Sequence, residues 1–122
     1  MGKLRRTVAV VDDDTSLRRS VGRLLNDYGF AAVEYASAEA FLRHDVKTPI
    51  DCLVLDIDLG GMSGIELRKL KGAGAKLPII FITALEDTRL QSEAEQAGCI
   101  AYLRKPFAGS VLIDAVKKAL GL

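Results

Sequence analysis

Residues 53–64 read LVLDIDLGGMSG. Three apolar residues run into Asp56, one more separates it from Asp58, and glycines follow. Two carboxylates so close raise each other's pKa unless a cation sits nearby or the site handles phosphate. The apolar lead-in, LVL, is continuous rather than alternating, as expected of a strand covered on both faces.

Four further short apolar runs stand out, several of them likewise apolar throughout. With Cys52–Leu55 they are Thr7–Val11, Ala31–Tyr35, Ile79–Ile82 and Ile100–Leu103. Between them the apolar period changes to that of a helix. Leu17, Val21, Leu24, Leu25 and Tyr28 form one stripe, closed by Gly29. Ala38, Phe41 and Leu42 follow Ser37, and a helix is expected over Ile65 to Leu70. Leu90, Ala94 and Ala97 run to Gly98, and a last stripe from Val111 to Leu120 follows Ser110, an expected N-cap. Strand and helix alternating five times predict a doubly wound α/β fold: a parallel sheet with helices on both faces.

The 122 residues suit one domain, 1–122, with no room for an output domain. Apolar residues make up 49% and the net charge is +1, which gives no electrostatic case for binding nucleic acid or an anionic membrane. No apolar run is long enough to span a bilayer. The opening MGKLRRTVAVV breaks at Asp12 before a signal-peptide core could form, and is read as the first strand of a cytoplasmic protein. His44 stands alone and is assigned no chemistry. Cys52 and Cys99 lie in no metal or redox spacing and read as small apolar thiols.

In open parallel sheets ligands bind at the carboxyl ends of the strands. Asp12 and Asp13 lie just beyond strand one, Asp56 ends strand three, Thr83 ends strand four and Lys105 follows strand five. Asp14 suits a helix cap, but one cap does not explain three acids in VVDDD. Oxygen donors without Cys or His point to Mg²⁺, with Mn²⁺ as the alternative, rather than zinc. Pro106 restricts Lys105 to an extended backbone that aims its ammonium at this edge, and the bond before Pro106 is a candidate cis peptide. Ala84 is small and leaves access open. The set suits attack of the Asp56 carboxylate on phosphorus, with Lys105 and the Thr83 hydroxyl meeting the phosphoryl oxygens.

With these residues assembled, the whole chain resembles the receiver domains of bacterial two-component response regulators. The matching features are VVDDD, LVLD, IT at Thr83 and KPF at Lys105–Phe107; Tyr102 stands where that family has its switch aromatic. FITALED and AGCIAYLRKPF resemble a subgroup often fused to a helix-turn-helix output domain. The resemblance implies a flavodoxin-like sheet of order 2-1-3-4-5 with five helices. It implies phosphorylation of Asp56 by a histidine kinase or a phosphotransfer protein. Mg²⁺ would be held by Asp12, Asp13, Asp56 and the backbone carbonyl of Asp58. Thr83 would then move toward the phosphoryl group and Tyr102 turn inward, changing the face of the fourth helix, fifth strand and fifth helix. Dimerisation on phosphorylation is allowed, not required.

The opening stretch departs from the family pattern Asp-x-x-Met-Pro-x-Met-x-Gly. Leu59 and Gly60 replace its methionine and proline, while Met62 and Gly64 match. Asp-x-Asp at Asp56 and Asp58 instead resembles haloacid-dehalogenase-like phosphatases, in which the second acid is a general acid/base. Asp58 is thus either a solvated loop residue or a modulator of acyl-phosphate hydrolysis. A phosphatase of that type places its nucleophile on the first strand, unlike this chain. A pseudo-receiver that only docks partners would not need the intact set of five. A disulfide between Cys52 and Cys99 would have to cross two strand spacings, about 9–10 Å, against the ~7 Å limit for Cα atoms.

Overall fold

The computed structural model describes residues 5–43, 49–58 and 77–122. Five strands are present: β1 (Thr7–Val11), β2 (Ala31–Tyr35), β3 (Cys52–Asp56), β4 (Ile79–Thr83) and β5 (Ala101–Arg104). All neighbours are parallel, in the order β2-β1-β3-β4-β5. Four helices are described: α1 (Thr15–Asp27), α2 (Ala38–Leu42), α3 (Thr88–Gln96) and α4 (Gly109–Ala119). The helix expected over residues 65–70 lies outside the described residues, as do His44 and the loop at Leu59, Gly60, Met62 and Gly64. The expected fourth and fifth helices are therefore α3 and α4.

The continuous apolar strands split by pleat into two cores, because successive side chains face opposite sides. Val8, Val10, Cys52, Val54, Ile80 and Ile82 face α1 and α4, where Val21, Leu25, Leu112 and Val116 complete the first cluster. Ala9, Val11, Leu53, Leu55, Ile79 and Phe81 face α2 and α3, meeting Phe41 and Ala94. Every residue of β3 and β4 is buried. Cys52 belongs to the first cluster and Cys99 packs against the second, so the two free thiols lie on opposite faces of the sheet.

Helix ends follow local chemistry. The Asp14 carboxylate caps α1 by accepting from the Leu17 amide, and the Ser37 hydroxyl caps α2 through the Ala40 amide. Gly29 and Gly98 adopt positive φ after α1 and α3, a conformation that favours glycine. Ser110 is not the N-cap of α4: the helix starts at Gly109 behind Ala108, with no side-chain cap. Phe107 packs against the first cluster and brings the chain into the helix early. Gly109 fits because its missing Cβ would stand 3.1 Å from Leu24 of α1. No described helix is long and apolar enough to cross a membrane.

Leu25 is fully buried in the first cluster. Leu25→Ala is expected to cost about 2–5 kcal/mol, and Asp14→Ala about 1 kcal/mol. Urea midpoints measured for both variants check this order; equal losses would contradict it.

Candidate functional site

The sheet brings Asp12, Asp13, Asp56, Thr83 and Lys105 to its carboxyl edge. Asp56 is the last residue of β3, level with Ile82 of β4, and Thr83 is level with Arg104 of β5. The Lys105 amide donates to the Thr83 carbonyl at 2.8 Å, so the ladder continues one residue past β5 and fixes where that lysine begins. The Lys105–Pro106 peptide is cis, as the sequence allowed.

Lys105 Nζ stands 2.9 Å from Asp12 Oδ2 and 3.1 Å from Asp56 Oδ2. The second oxygen of each carboxylate accepts from a backbone amide two residues on: Asp14 for Asp12 at 2.9 Å, and Asp58 for Asp56 at 3.0 Å. Both carboxylates are buried, whereas Asp13 is exposed. Carboxylate oxygens of all three lie within 4.8 Å of one another. Three negative charges here face one ammonium.

Burial, and then the charge of Asp12, push the Asp56 carboxyl up to about 6; Lys105 and the Asp58 amide hold it from rising further. Burial pulls Lys105 down, but its hydrogen bonds to Asp12 and Asp56 and their charges outweigh that, leaving it above the ordinary lysine value.

The remaining expected residues lie around this cluster. Thr83 is buried and its hydroxyl accepts from the Leu85 amide at 3.0 Å. Ala84 is exposed. Asp58 is exposed too; its amide touches Asp56, but its carboxylate is not in the three-acid cluster. Tyr102 packs against the second cluster. Its hydroxyl is buried without a hydrogen-bond partner among the described residues. Burial, and then the charge of Asp87, raise its pKa.

Sequence reasoning missed Arg18. Its Nη1 donates to the Asp12 carbonyl at 2.9 Å. A signal was present: Arg18 falls at i−3 and i−7 from Val21 and Leu25, inside the apolar stripe of α1.

The donor set fits a hard divalent cation. It is oxygen-only, it combines two buried carboxylates with one open to solvent, and it leaves two negative charges unmatched. Asp12, Asp13 and Asp56 are the residues that would hold such an ion.

Comparison with known proteins agrees with this geometry. The family model for the response regulator receiver domain matches residues 8–117. The transcriptional regulatory protein TdiR of Thauera aromatica is 39% identical over 117 residues, which cover 95% of this chain and 52% of TdiR. The transcriptional regulatory protein FixJ of Azorhizobium caulinodans is 40% identical over 117 residues, covering 93% and 54%. The chain thus spans about half the length of these relatives. Among solved structures, a response regulator receiver protein from Burkholderia phymatum superposes with a TM-score of 0.86 at 40% identity, covering 97% of each chain.

The raised Asp56 pKa has a stability consequence. Protonation of Asp56 favours the fold; that contribution is whole below the ordinary carboxylate value and is lost as pH rises through about 6. Asp56→Asn is expected to stabilise the metal-free chain above pH 6 by on the order of 2 kcal/mol. The gain should shrink as pH falls from 6 toward 4. Calorimetric melting in chelator across that range checks the sign, and a loss at neutral pH would contradict it.

Proposed function

The chain belongs to the response regulator receiver domain family, and from that premise we propose that it is a phosphorylation switch with Asp56 as phosphoacceptor. The observation that carries this reading is the Lys105 ammonium bridging the carboxylates of Asp12 and Asp56 at 2.9 and 3.1 Å. One cation already sits where charge on a phosphoryl group would have to be met.

The donor we propose is a phosphohistidine on a sensor kinase or phosphotransfer protein. An Asp56 oxygen attacks phosphorus, the new O–P bond forms as the P–N bond breaks, and the imidazole leaves. Asp12, Asp13 and Asp56, with the Asp58 carbonyl, are the proposed ligands of Mg²⁺. Bound there, Mg²⁺ would supply the positive charge that lets two more anionic oxygens enter an acidic site. Lys105 transfers its hydrogen bond from Asp56 to a phosphoryl oxygen. The Thr83 hydroxyl accepts from Leu85, and among the described residues no acceptor takes its proton, which would donate to another phosphoryl oxygen. Exposed Ala84 puts no bulk in the way.

Tyr102 supports a two-state element in this reading. A buried hydroxyl without a partner costs about 1–3 kcal/mol. That offsets the gain from packing the ring, so the observed position is not locked. Movement of Thr83 then biases Tyr102 and the α3–β5–α4 face that would meet a partner, a second copy of the chain included. Cytoplasmic placement follows from the proposed kinase partnership.

Mass analysis after incubation with acetyl phosphate tests the reading. Phosphorylation is expected with Mg²⁺ and is lost with chelator or in Asp56→Asn. No labelling in the native chain would favour a docking-only pseudo-receiver, and phosphate release from external phosphomonoesters would favour a phosphatase.

One observation favours a role for Asp58 in hydrolysis: its amide is tied to Asp56 while its carboxylate stays in solvent, where water enters. Asp58→Asn is expected to lengthen the acyl-phosphate lifetime by about tenfold, below the range of a fully positioned general base. Equal lifetimes would remove that role.

A further inference from the structure

Arg18 lies on the buried side of α1, its side chain 13% exposed, and does two things there. Its Nη1 donates to the Asp12 carbonyl at 2.9 Å, and its Nε stands 3.4 Å from Glu34 Oε1 on the edge strand β2. Glu34 in its observed position lies in space that α1 leaves open by having a glycine at position 22. A Cβ built there would come within 2.9 Å of Glu34 Oε2. Glycine in a helix interior is unfavourable by roughly 0.5–1 kcal/mol relative to alanine. In exchange, the carboxylate lies close against the helix.

The Asp12 carbonyl is the functionally important end of this chain of contacts. It belongs to the peptide plane that joins Asp12 to Asp13, since the peptide group is rigid and flat. Asp12 itself is fixed in three further ways: its amide donates to the Tyr35 carbonyl, Oδ1 accepts from Asp14, and Oδ2 meets Lys105. Asp13 has none of these supports. It is exposed, and among the described residues no hydrogen bond holds its carboxylate. The peptide plane before it fixes the point from which its side chain starts, and so limits where its rotamers can place the carboxylate. Arg18 holds that plane by the oxygen, with a charge-assisted hydrogen bond.

We propose that Arg18, oriented by Glu34 in the space left by Gly22, is a positioning residue that sets the Asp13 carboxylate for the divalent cation. Such outer contacts orient metal ligands and are energetically coupled to them. The proposal rests on the metal-dependent reading above and adds that the far edge of the sheet contributes to metal affinity. Arg18 touches neither the ion nor the phosphoryl group.

The test is calorimetric titration of the chain with MgCl₂, with melting curves of each variant in parallel. Arg18→Ala is expected to weaken Mg²⁺ binding about tenfold, the lower end for outer-shell residues. Glu34→Ala and Gly22→Ala should weaken it less, and Arg18→Ala/Glu34→Ala no more than Arg18→Ala alone. Gly22→Ala favours the helix itself but crowds Glu34, and its melting curve separates a loss of affinity from a loss of fold. Arg18→Lys should recover part of the loss, because one ammonium can hold the carbonyl without a fork to spare for Glu34. At saturating Mg²⁺, acetyl phosphate should label Arg18→Ala at the native rate, as general damage to the site would not allow. Unchanged affinity in folded Arg18→Ala overturns the proposal, as do losses from Arg18 and Glu34 that multiply. Should Arg18→Ala fail to fold, unchanged affinity in Gly22→Ala and Glu34→Ala overturns it equally. If the native chain binds no Mg²⁺ at all, the metal-dependent reading itself falls. Unchanged affinity in the variants of a chain that does bind it removes only the role of Arg18.

Discussion

The ammonium of Lys105 stands between two carboxylates that the sheet has taken out of water. Neither carboxylate could remain there charged and alone, because an unpaired buried ion is strongly destabilising. The arrangement constrains the whole topology. Asp12 follows β1, Asp56 ends β3 and Lys105 follows β5, so only a sheet in which those three strands run parallel brings the three together at one edge. Two backbone amides, from Asp14 and Asp58, complete the carboxylates' hydrogen bonding and tie the loops after β1 and β3 to the same charge cluster.

Most of this was legible in the sequence because it depends on backbone geometry. Continuous apolar runs mark doubly covered strands, and residues just past such runs fall at one edge whatever the side-chain detail. β1 and β2 match their apolar runs, whereas β3, β4 and β5 each end one residue later than theirs, and β5 also starts one later. Asp56, Thr83 and Arg104 still take part in the ladder although they are polar, and hydropathy does not see hydrogen bonding. The start of α4 was misjudged for a related reason. Ser110 is a good cap by composition, but packing of Phe107 against the first cluster set the helix start earlier. Tyr102 and Arg18 were harder. The side on which a half-buried aromatic places its hydroxyl depends on the space around it. The contact from Arg18 to a backbone oxygen leaves no trace in residue type, only an arginine among the apolar residues of α1.

The site is costly where it is chemically useful. Asp56 is held ionised against a raised pKa, Tyr102 buries a hydroxyl with no partner among the described residues, and α1 carries a glycine in its interior. Each departs from what stability alone would select, and such departures gather at functional sites. They are tolerable because β3 and β4 are buried throughout and the two apolar clusters lie directly beneath.

Among the described residues, α3 is held less firmly than α1 and α4. On one face of the sheet, α1 buries Val21, Gly22 and Leu25, and α4 buries Leu112, Ile113, Ala115 and Val116. On the other, α2 buries Ala38 and Phe41, but α3 buries only Ala94, and the residues leading into it from Ala84 to Asp87 are all exposed. Segments with few buried apolar contacts open at low free energy, and segments with many do not. A new charge at Asp56 would therefore displace the Thr83–α3 side rather than the α1 side. The Arg18–Asp12 contact lies on the α1 side, while Thr83 and the Tyr102 hydroxyl adjoin the α3 side. Under the proposed function, that division would let the α1 side keep the cation's ligands still while the α3 side changes shape, as a domain that holds phosphate and reports it must do.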